Sequence, residues 1–192
     1  MQLSNLTPRQ QAILMARKVL QLKPIFIDTE TTGLDRTAEI IEIAIVDHDG
    51  RIIMDTLIRP MRPIPADAMR VHHITNEMVS SAQSWPVLWP DLRTIFHGRL
   101  LAFYNEEFDM RMIRQTHEQF TPWKENFNTF CVMKLYAQFR SEWDPRRRSY
   151  RYFKLEEAGR HAGISIPNSH RAADDTLLAR ALLEHIAANP IQ

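Results

Sequence analysis

Two acidic residues directly follow a short apolar stretch near the start of the chain. Asp28 and Glu30 come after residues 25–27, which are Ile, Phe and Ile. Residues two apart on a strand point to the same face, with Cα atoms roughly 6.5–7 Å apart. Two carboxylates on one face repel each other, and a bound cation would offset that repulsion. A solvated strand end is the alternative, because the Thr-Thr-Gly that follows is typical of a turn.

Two further acids lie on the apolar faces of predicted helices. Asp109 begins a helix predicted to end at Phe120, and the apolar residues three and four positions later share its face. Asp175 lies in the middle of the apolar stripe of the last helix, whereas Asp174 lies to the side, as a solvated acid would. The helix dipole favours an acid in a first turn. The dipole does not explain why these side chains face inward.

A histidine precedes the last helix, five residues before Asp175. A lone histidine is more often structural, but the inward-facing acid close to His170 in the sequence favours a functional role. Four carboxylates without thiolates suit Mg²⁺ or Mn²⁺ rather than structural zinc. Two such ions about 3.5–4 Å apart clamp the attacking and leaving oxygens of a phosphodiester. The acids therefore predict a site for divalent cations.

Apolar strands and amphipathic helices must position these groups. Three strands come first, over residues 25–30, 39–47 and 51–59, and the last two are joined by the turn signal Asp49-Gly50. A fourth strand is predicted over 100–104, and a short strand or turn near 128 leads into a helix that ends at 140. Further helices are predicted over residues 8–23, 66–71, 76–80, 85–96, 109–120, 155–162 and 171–188. This order favours helices packed on a mixed sheet, which is the α/β class.

Length and composition limit the possible functions. The 192 residues suit one domain, and 44% hydrophobic with 24% charged residues is an ordinary globular composition. The single cysteine excludes a disulfide framework and a multi-cysteine zinc site. A net charge of +1 does not indicate nucleic-acid binding by bulk charge. No apolar run approaches a membrane span and no signal peptide is recognisable, so we expect a cytoplasmic location.

Three segments together resemble the three motifs of the DEDDh 3′→5′ exonucleases. They are residues 28–34, 105–109 and 170–175, and they occur in the family's order. The proofreading subunit of bacterial replicative DNA polymerase, ribonuclease T and oligoribonuclease belong to this family. The resemblance extends over residues 25–187, which is nearly the whole chain.

The resemblance implies a ribonuclease H-like α/β fold, in which helices flank a mixed sheet whose first three strands are antiparallel. It also implies two bound Mg²⁺ ions, for which Mn²⁺ would substitute. The implied metal ligands are Asp28, Glu30, Asp109 and Asp175. His170 would take the proton of the attacking water, since an imidazole has an ordinary pKa of about 6.5. Arg171 occupies the position where a related subgroup has a tyrosine, so the histidine subgroup is the better match.

The same resemblance implies where the 3′-terminal nucleotide binds. The residues at the matching positions are Thr31, Gly33, Leu34, His72 and Asn105. Leu34 would wedge against a base. Two residues depart from the family's pattern, since Tyr104 replaces a common histidine and His73 replaces a common glycine. Neither is a metal ligand, so both bear on substrate fit.

A basic cluster lies in and just after a segment predicted to be a polar loop, residues 140–152. Its cationic residues are Arg146, Arg147, Arg148, Arg151 and Lys154. Cationic side chains contact phosphates, and the interleaved Tyr150 and Tyr152 could stack on bases. The cluster is therefore a candidate nucleic-acid patch, with a solvated loop as the alternative.

The motifs divide the chain into an N-terminal helical extension, residues 1–23, and an exonuclease domain, residues 24–190. The extension is expected to be a packing element, and the alternative is a helix that binds a polymerase or another protein partner.

The predicted function is metal-dependent 3′→5′ cleavage of single-stranded DNA, in proofreading or repair, with release of nucleoside 5′-monophosphates. The alternatives are exoribonuclease or oligoribonuclease activity on RNA, and a non-catalytic nucleic-acid-binding or polymerase-associated subunit. All four acids and the histidine are present, which argues against a loss of catalysis.

Overall fold

A five-stranded mixed sheet forms the centre of the molecule in the computed structural model, which describes residues 6–166 and 170–191. The strands are β1 (Ile25–Thr31), β2 (Ile40–Val46), β3 (Ile52–Leu57), β4 (Leu100–Phe103) and β5 (Asn128–Cys131). They lie in the order β3-β2-β1-β4-β5. The pairs β1–β2 and β2–β3 are antiparallel, whereas β4 runs parallel to β1 and to β5. This arrangement confirms the predicted mixed sheet with three antiparallel strands first.

Helices cover both faces of the sheet. They are α1 (Pro8–Gln21), α2 (Ala66–His72), α3 (Asn76–Val79), α4 (Trp85–Phe96), α5 (Glu106–Glu118), α6 (Val132–Arg140), α7 (Leu155–His161) and α8 (Ala172–Ala188). One apolar cluster joins α1, α6 and α8 to Phe26 of β1. A second cluster joins α4 and α5 to Ile25 and Ile27 of the same strand. Alternate residues of β1 therefore face the two helical layers, and Asp28 and Glu30 continue the face that carries Phe26.

The helix α5 begins earlier than predicted, so Asp109 lies in its first turn and does not start it. The carbonyl of Asn105 accepts hydrogen bonds from the amides of Phe108 and Asp109. Glu106 and Glu107 occupy the first turn as well. Acids are stabilised there by the helix dipole, which explains why the helix extends toward β4.

The sequence predicts a loop over the polar segment between α6 and α7, and this prediction is only partly right. It contains a short antiparallel hairpin of β6 (Trp143–Asp144) and β7 (Ser149–Tyr150). The rings of Trp143 and Tyr150 meet edge to face across the two strands, with centroids 5.7 Å apart. The carboxylate of Asp144 accepts the amide of Arg146 and closes the turn. A cross-strand aromatic pair and an Asx-type turn stabilise a hairpin that hydrophobic periodicity does not indicate.

The helix α1 packs into the core of the domain. Its apolar residues Ala12, Ile13, Ala16 and Val19 are buried in the cluster with α6 and α8. Arg17 donates hydrogen bonds to the carbonyls of Ala187 and Asn189 at the end of α8. The extension predicted for residues 1–23 thus includes a helix whose apolar face already has a partner within the chain. Among the described residues, no helix is both long and apolar enough to cross a bilayer.

The residue that caps the C-terminus of helix α2 is His73, whose backbone is left-handed with φ 61°. Glycine adopts this conformation without a steric penalty, whereas other residues do so at a cost. The sequence pattern has a histidine where the resembling family commonly has glycine. The backbone at His73 is therefore strained, because a residue other than glycine adopts the left-handed conformation there.

Candidate active site

Three predicted acids meet at the carboxyl end of β1. Asp28 and Glu30 project from the strand, and Asp175 projects from the first turn of α8, which packs on that face. One oxygen of each carboxylate lies within 4.8 Å of the other two. Residues separated by about 145 positions in the sequence thus share one small volume, because α8 lies across β1 and β2.

Asp109 reaches the same region from the other helical layer. It is buried, with 3% of its surface exposed, and its Oδ1 accepts a hydrogen bond of 2.8 Å from the Thr29 hydroxyl. Thr29 lies between Asp28 and Glu30 and points to the face that α5 covers. Asp109 lies outside the close trio of carboxylates but lines the same cavity.

The acids are held in a setting that opposes their ionisation. Burial, followed by repulsion from Asp109 and Asp175, raises the pKa of Asp28 well above its usual value. Burial and the charge of Asp175 raise the pKa of Glu30 to about 8. Burial raises the pKa of Asp109 to about 7, although the hydrogen bond from Thr29 works in the opposite direction. A divalent cation would remove both causes, since it replaces lost hydration and cancels like-charge repulsion.

The donor set fits a hard divalent metal ion. All of the converging ligands are carboxylate oxygens, which are preferred by Mg²⁺ and Mn²⁺. The one cysteine, Cys131, is not among them.

These acids line one wall of a cavity of about 700 Å³. His170 also lines it, with an exposed side chain and a left-handed backbone at φ 51°. Asn105, predicted for the nucleotide site, lies at the same cavity. Tyr152 and Lys154 form part of its far wall. The cavity thus places the histidine and the four acids around one space that is open to solvent.

Tyr104, which departs from the family pattern, is a buried residue of this cavity. Its hydroxyl donates a hydrogen bond of 2.6 Å to the carbonyl of Phe153. Burial raises the pKa of Tyr104 far above its usual value, so the phenol remains protonated. Tyr104 therefore links the end of β4 to the segment that contains Tyr152, Phe153 and Lys154.

A second cavity of about 630 Å³ adjoins the first and shares Glu30 and Leu34 with it. The predicted nucleotide-site residues Thr31, Gly33, Leu34 and His72 line this second cavity. Leu34 has 75% of its surface exposed, which is unusual for leucine. The Thr31 hydroxyl donates to the Gly33 carbonyl, and this bond closes the turn behind Leu34.

His72 is buried at the back of the second cavity. Its Nδ1 accepts the amide of Ile74 at 3.0 Å, which leaves the ring proton on Nε2. Burial lowers the pKa of His72 below its usual value. The ring is therefore a neutral hydrogen-bond donor.

The basic cluster lies on and beside the hairpin, and its arginines differ in their surroundings. Arg151 bridges the carboxylates of Glu142 and Glu157, and Arg147 lies 3.7 Å from a carboxylate oxygen of Asp144. Arg146 and Arg148 are exposed, and no acid within the described residues pairs with either. The free positive charge is thus at the tip of the hairpin, whereas that of Arg151 is largely neutralised.

One residue beside the acids had no assigned role in the sequence analysis. Glu42 lies directly opposite Glu30 on the neighbouring strand and is 1% exposed. The available signal was a single charged residue in β2, whose other residues are Ile, Ala and Val. A charge in a fully buried strand requires partners, and that requirement alone could have singled it out.

Comparison with known proteins agrees with this geometry. Residues 25–183 match the exonuclease family RNase_T. The chain is 37% identical over 194 aligned positions to an uncharacterised exonuclease, CP81, of Escherichia phage 186, with 97% of each protein covered. It is 28% identical to DNA polymerase III subunit epsilon of Treponema pallidum, covering 84% of this chain and 75% of that protein. The solved structure of exonuclease X in complex with 5′ overhanging duplex DNA superposes with a TM-score of 0.59 at 27% identity, covering 84% of this chain and 89% of the other.

Proposed function

This chain belongs to the exonuclease family, and we propose that it is of the DEDDh type and removes nucleotides from the 3′ ends of single-stranded DNA. The products would be nucleoside 5′-monophosphates, released in proofreading or repair. The observation that carries this proposal is the meeting of four acids and one histidine, from three distant segments, around a single open cavity.

Mg²⁺ is the proposed cofactor, in a family that depends on divalent metals, and Mn²⁺ is expected to substitute for it. Two ions would be held by Asp28, Glu30, Asp109 and Asp175. Bound there, the ions would neutralise charge on the scissile phosphate and make water more acidic. The raised pKa of Glu30 supports this assignment, because burial and then repulsion from Asp175, Glu42 and Asp109 oppose its ionisation, and a bound cation would relieve both.

His170 is the proposed general base. It lies at the mouth of the cavity that the acids line, where its ring can accept the proton of a water molecule that attacks the phosphate. The proton would leave with solvent, to which the side chain is open.

The second cavity is the proposed site of the 3′-terminal nucleotide. Leu34 offers an exposed apolar surface to a base, and His72 lines the same cavity with its Nε2 buried and without a hydrogen-bond partner among the described residues. Thr31 and Gly33 complete the walls of this second cavity, and Asn105 lines the adjoining first cavity.

DNA is favoured as the substrate by the relatives. One is named a subunit of DNA polymerase III, and the superposed exonuclease X was solved with DNA. The three motifs do not distinguish DNA from RNA, so cleavage of RNA is the competing outcome of the test.

The test is product analysis on matched 5′-labelled DNA and RNA strands, with and without Mg²⁺. We expect a ladder of shortened DNA products and free 5′-monophosphates only when the metal is present. Asp28→Ala and Asp175→Asn should abolish turnover in a folded protein, while Arg180→Ala, on α8 but not among the residues that line the cavity, serves as the matched control. Faster cleavage of RNA would reassign the substrate, and metal-dependent cleavage by the Asp28→Ala variant would overturn the proposed metal site.

We also propose that the tip of the hairpin contacts the phosphates of the strand. The support is the free charge of Arg146 and Arg148 beside Tyr152 and Lys154 of the cavity wall. Replacing both arginines with glutamine should weaken DNA binding and flatten its salt dependence. An unchanged salt slope would favour the solvated-loop alternative.

A polymerase or other protein partner is proposed from the likeness to DNA polymerase III subunit epsilon. The partner would use the outward face of α1, where Met15 and Leu22 are exposed, because the inward face is buried. Co-purification with polymerase subunits should be lost on changing Met15 and Leu22 to serine. Unchanged co-purification would exclude this face.

A further inference from the structure

The buried Glu42 is a fifth carboxylate at the active site. Glu42 of β2 pairs with Glu30 of β1 in the antiparallel register, so both side chains lie on the face covered by α8. Its side chain is 1% exposed. Placing another negative charge there adds to the repulsion felt by Glu30. A buried charge in this position is therefore retained at an energetic cost.

Both oxygens of Glu42 are already engaged by the chain. Oε1 accepts hydrogen bonds from Nε and Nη2 of Arg171, the first of them 2.9 Å long. Oε2 accepts the backbone amide of Ala172 at 2.9 Å. Both oxygens of Glu42 therefore have partners within the chain, and its charge is matched by one guanidinium.

These bonds hold the start of α8. Ala172 is the first residue of the helix, and its amide is one of those that no helical carbonyl can satisfy. Within the part of the chain that the structure describes, the N-cap residue Arg171 makes no side-chain capping bond. Glu42, which is remote in sequence, supplies that cap.

The same bonds lie between two proposed catalytic groups. Arg171 directly follows His170, whose backbone is left-handed. The amide of Asp175 bonds to the carbonyl of Arg171 at 3.2 Å, within the first turn of α8. Through Arg171 and Ala172, Glu42 therefore connects the strand pair that carries Asp28 and Glu30 to the segment that carries Asp175 and His170.

We propose that Glu42 and Arg171 are positioning residues, which together set Asp175 and His170 against the acids of β1. The inference rests on the proposed function. The pair acts through the placement of the ligands and the base, not by contact with the reacting atoms. Loss of such outer partners typically costs about 10–100-fold in activity or metal affinity.

The test compares kcat, KM for a DNA oligonucleotide, the Mg²⁺ concentration for half-maximal rate, and Tm. Arg171→Ala should lower kcat about 10–100-fold and raise the half-maximal Mg²⁺ concentration, with KM changed less than about twofold. Arg171→Lys should recover part of kcat, because a single ammonium keeps the charge but not the two-pronged contact. A purely structural pair would lower Tm and leave kcat of the folded fraction unchanged, and that result would overturn the proposal.

Glu42→Gln and the double variant complete the test. If the two residues act as one unit, the effects on kcat in Glu42→Gln/Arg171→Ala should be far from additive. Additive effects would contradict the coupling. If Glu42→Gln does not fold, the two Arg171 variants still decide the question.

Two further outcomes separate the alternatives. Arg180→Ala is the matched control, because Arg180 lies on α8 and contacts Glu184 and the carbonyl of His48, and it does not line the cavity of the acids. It should leave kcat and the Mg²⁺ requirement unchanged. A rise in KM without a fall in kcat for Arg171→Ala would assign Arg171 to substrate binding instead. Failure of the unaltered protein to cleave DNA or RNA with Mg²⁺ would refute the proposed function itself.

Discussion

At the scale of single residues, the site has more buried negative charge than the protein alone can stabilise. Glu30, Asp28 and Asp109 all have raised pKa values, with burial as the largest cause in each. The charge of Arg171 lowers the pKa of Glu30, but Arg171 is already bonded to Glu42. These residues are thus suited to binding a cation. Without a bound cation, their buried negative charge lowers the stability of the folded protein.

The metal-free protein should therefore lose stability as the pH rises. The pKa of Glu30 is raised from its ordinary value of 4.5 to about 8 in the folded state. The folded state binds more protons than the unfolded chain between these values, so its stability is fully present below about pH 4.5 and declines up to about pH 8. Thermal unfolding in EDTA across this range should show a falling Tm. Saturating Mg²⁺ should reduce the slope.

Glu30→Gln provides the matched comparison for this pH effect. Its amide has the same shape without the charge, so the metal-free variant should depend less on pH and be more stable near pH 8. An equal slope in both proteins would show that other groups cause the loss.

His170→Ala should lower kcat by about 10²–10⁴, the usual contribution of a general base. The side chain is exposed and makes no described contact with the core, so Tm should stay close to that of the unaltered protein. Single-turnover rates at saturating Mg²⁺ would measure the effect. A nearly normal rate would remove His170 from the proposed role.

At the scale of elements, hydrophobic periodicity predicts most of the fold. The strands β1, β2 and β4 contain apolar runs and most helices have an apolar face, so their types were predictable, whereas the more polar segment that forms β5 was predicted only as a strand or a turn. The early start of α5 was missed because its first turn contains Glu106 and Glu107, which interrupt the apolar pattern. The hairpin was missed because Trp143 and Tyr150 stabilise it through a contact between strands of two residues each.

Among the site residues, the acids could be identified because each breaks an apolar pattern. Asp28, Asp109 and Asp175 lie where apolar residues would be expected, and the structure brings them to one cavity. Glu42 breaks the pattern of β2 in the same way. Its role depends on the packing of α8 across β2, which local sequence does not specify.

The end of α2 gives a prediction about backbone strain. His73 has φ 61°, where a non-glycine residue costs about 1–2 kcal/mol and glycine does not. Glycine loses more freedom on folding, so His73→Gly should still raise the free energy of unfolding by about 0.5 kcal/mol. Urea unfolding would measure this, with His73→Ala as the control that retains the strain. Destabilisation by glycine would show that the His73 side chain makes a stabilising interaction.

At the scale of the whole molecule, α1 completes the core although the family match begins at residue 25. The phage 186 relative aligns over 97% of this chain, so the alignment extends into the α1 region. The helix buries Ile13 and Val19 against α6 and α8. Arg9 stacks on Phe139 and also bonds to its carbonyl. A domain limited to the predicted residues 24–190 would therefore lack the core contacts that α1 makes with α6 and α8.

Ile13→Ala should destabilise the protein by about 2–5 kcal/mol, because the side chain is 1% exposed and its removal leaves a cavity. Met15→Ala on the outward side of the same helix should have little effect, since Met15 is 45% exposed. Chemical denaturation of both variants would compare them. Equal stability would mean that α1 is dispensable for the fold.

The hairpin also equips the enzyme with an optical reporter. Trp143 is 58% exposed, whereas Trp85 and Trp89 are 1% and 9% exposed and Trp123 is partly buried, so a water-soluble quencher should dim the emission of Trp143 most. If a DNA strand leaves the cavity past the hairpin, an oligonucleotide added in EDTA should shield that emission, and Trp143→Phe should abolish the signal. Unlabelled nucleic acid could then be followed as it arrives, before any bond is cut.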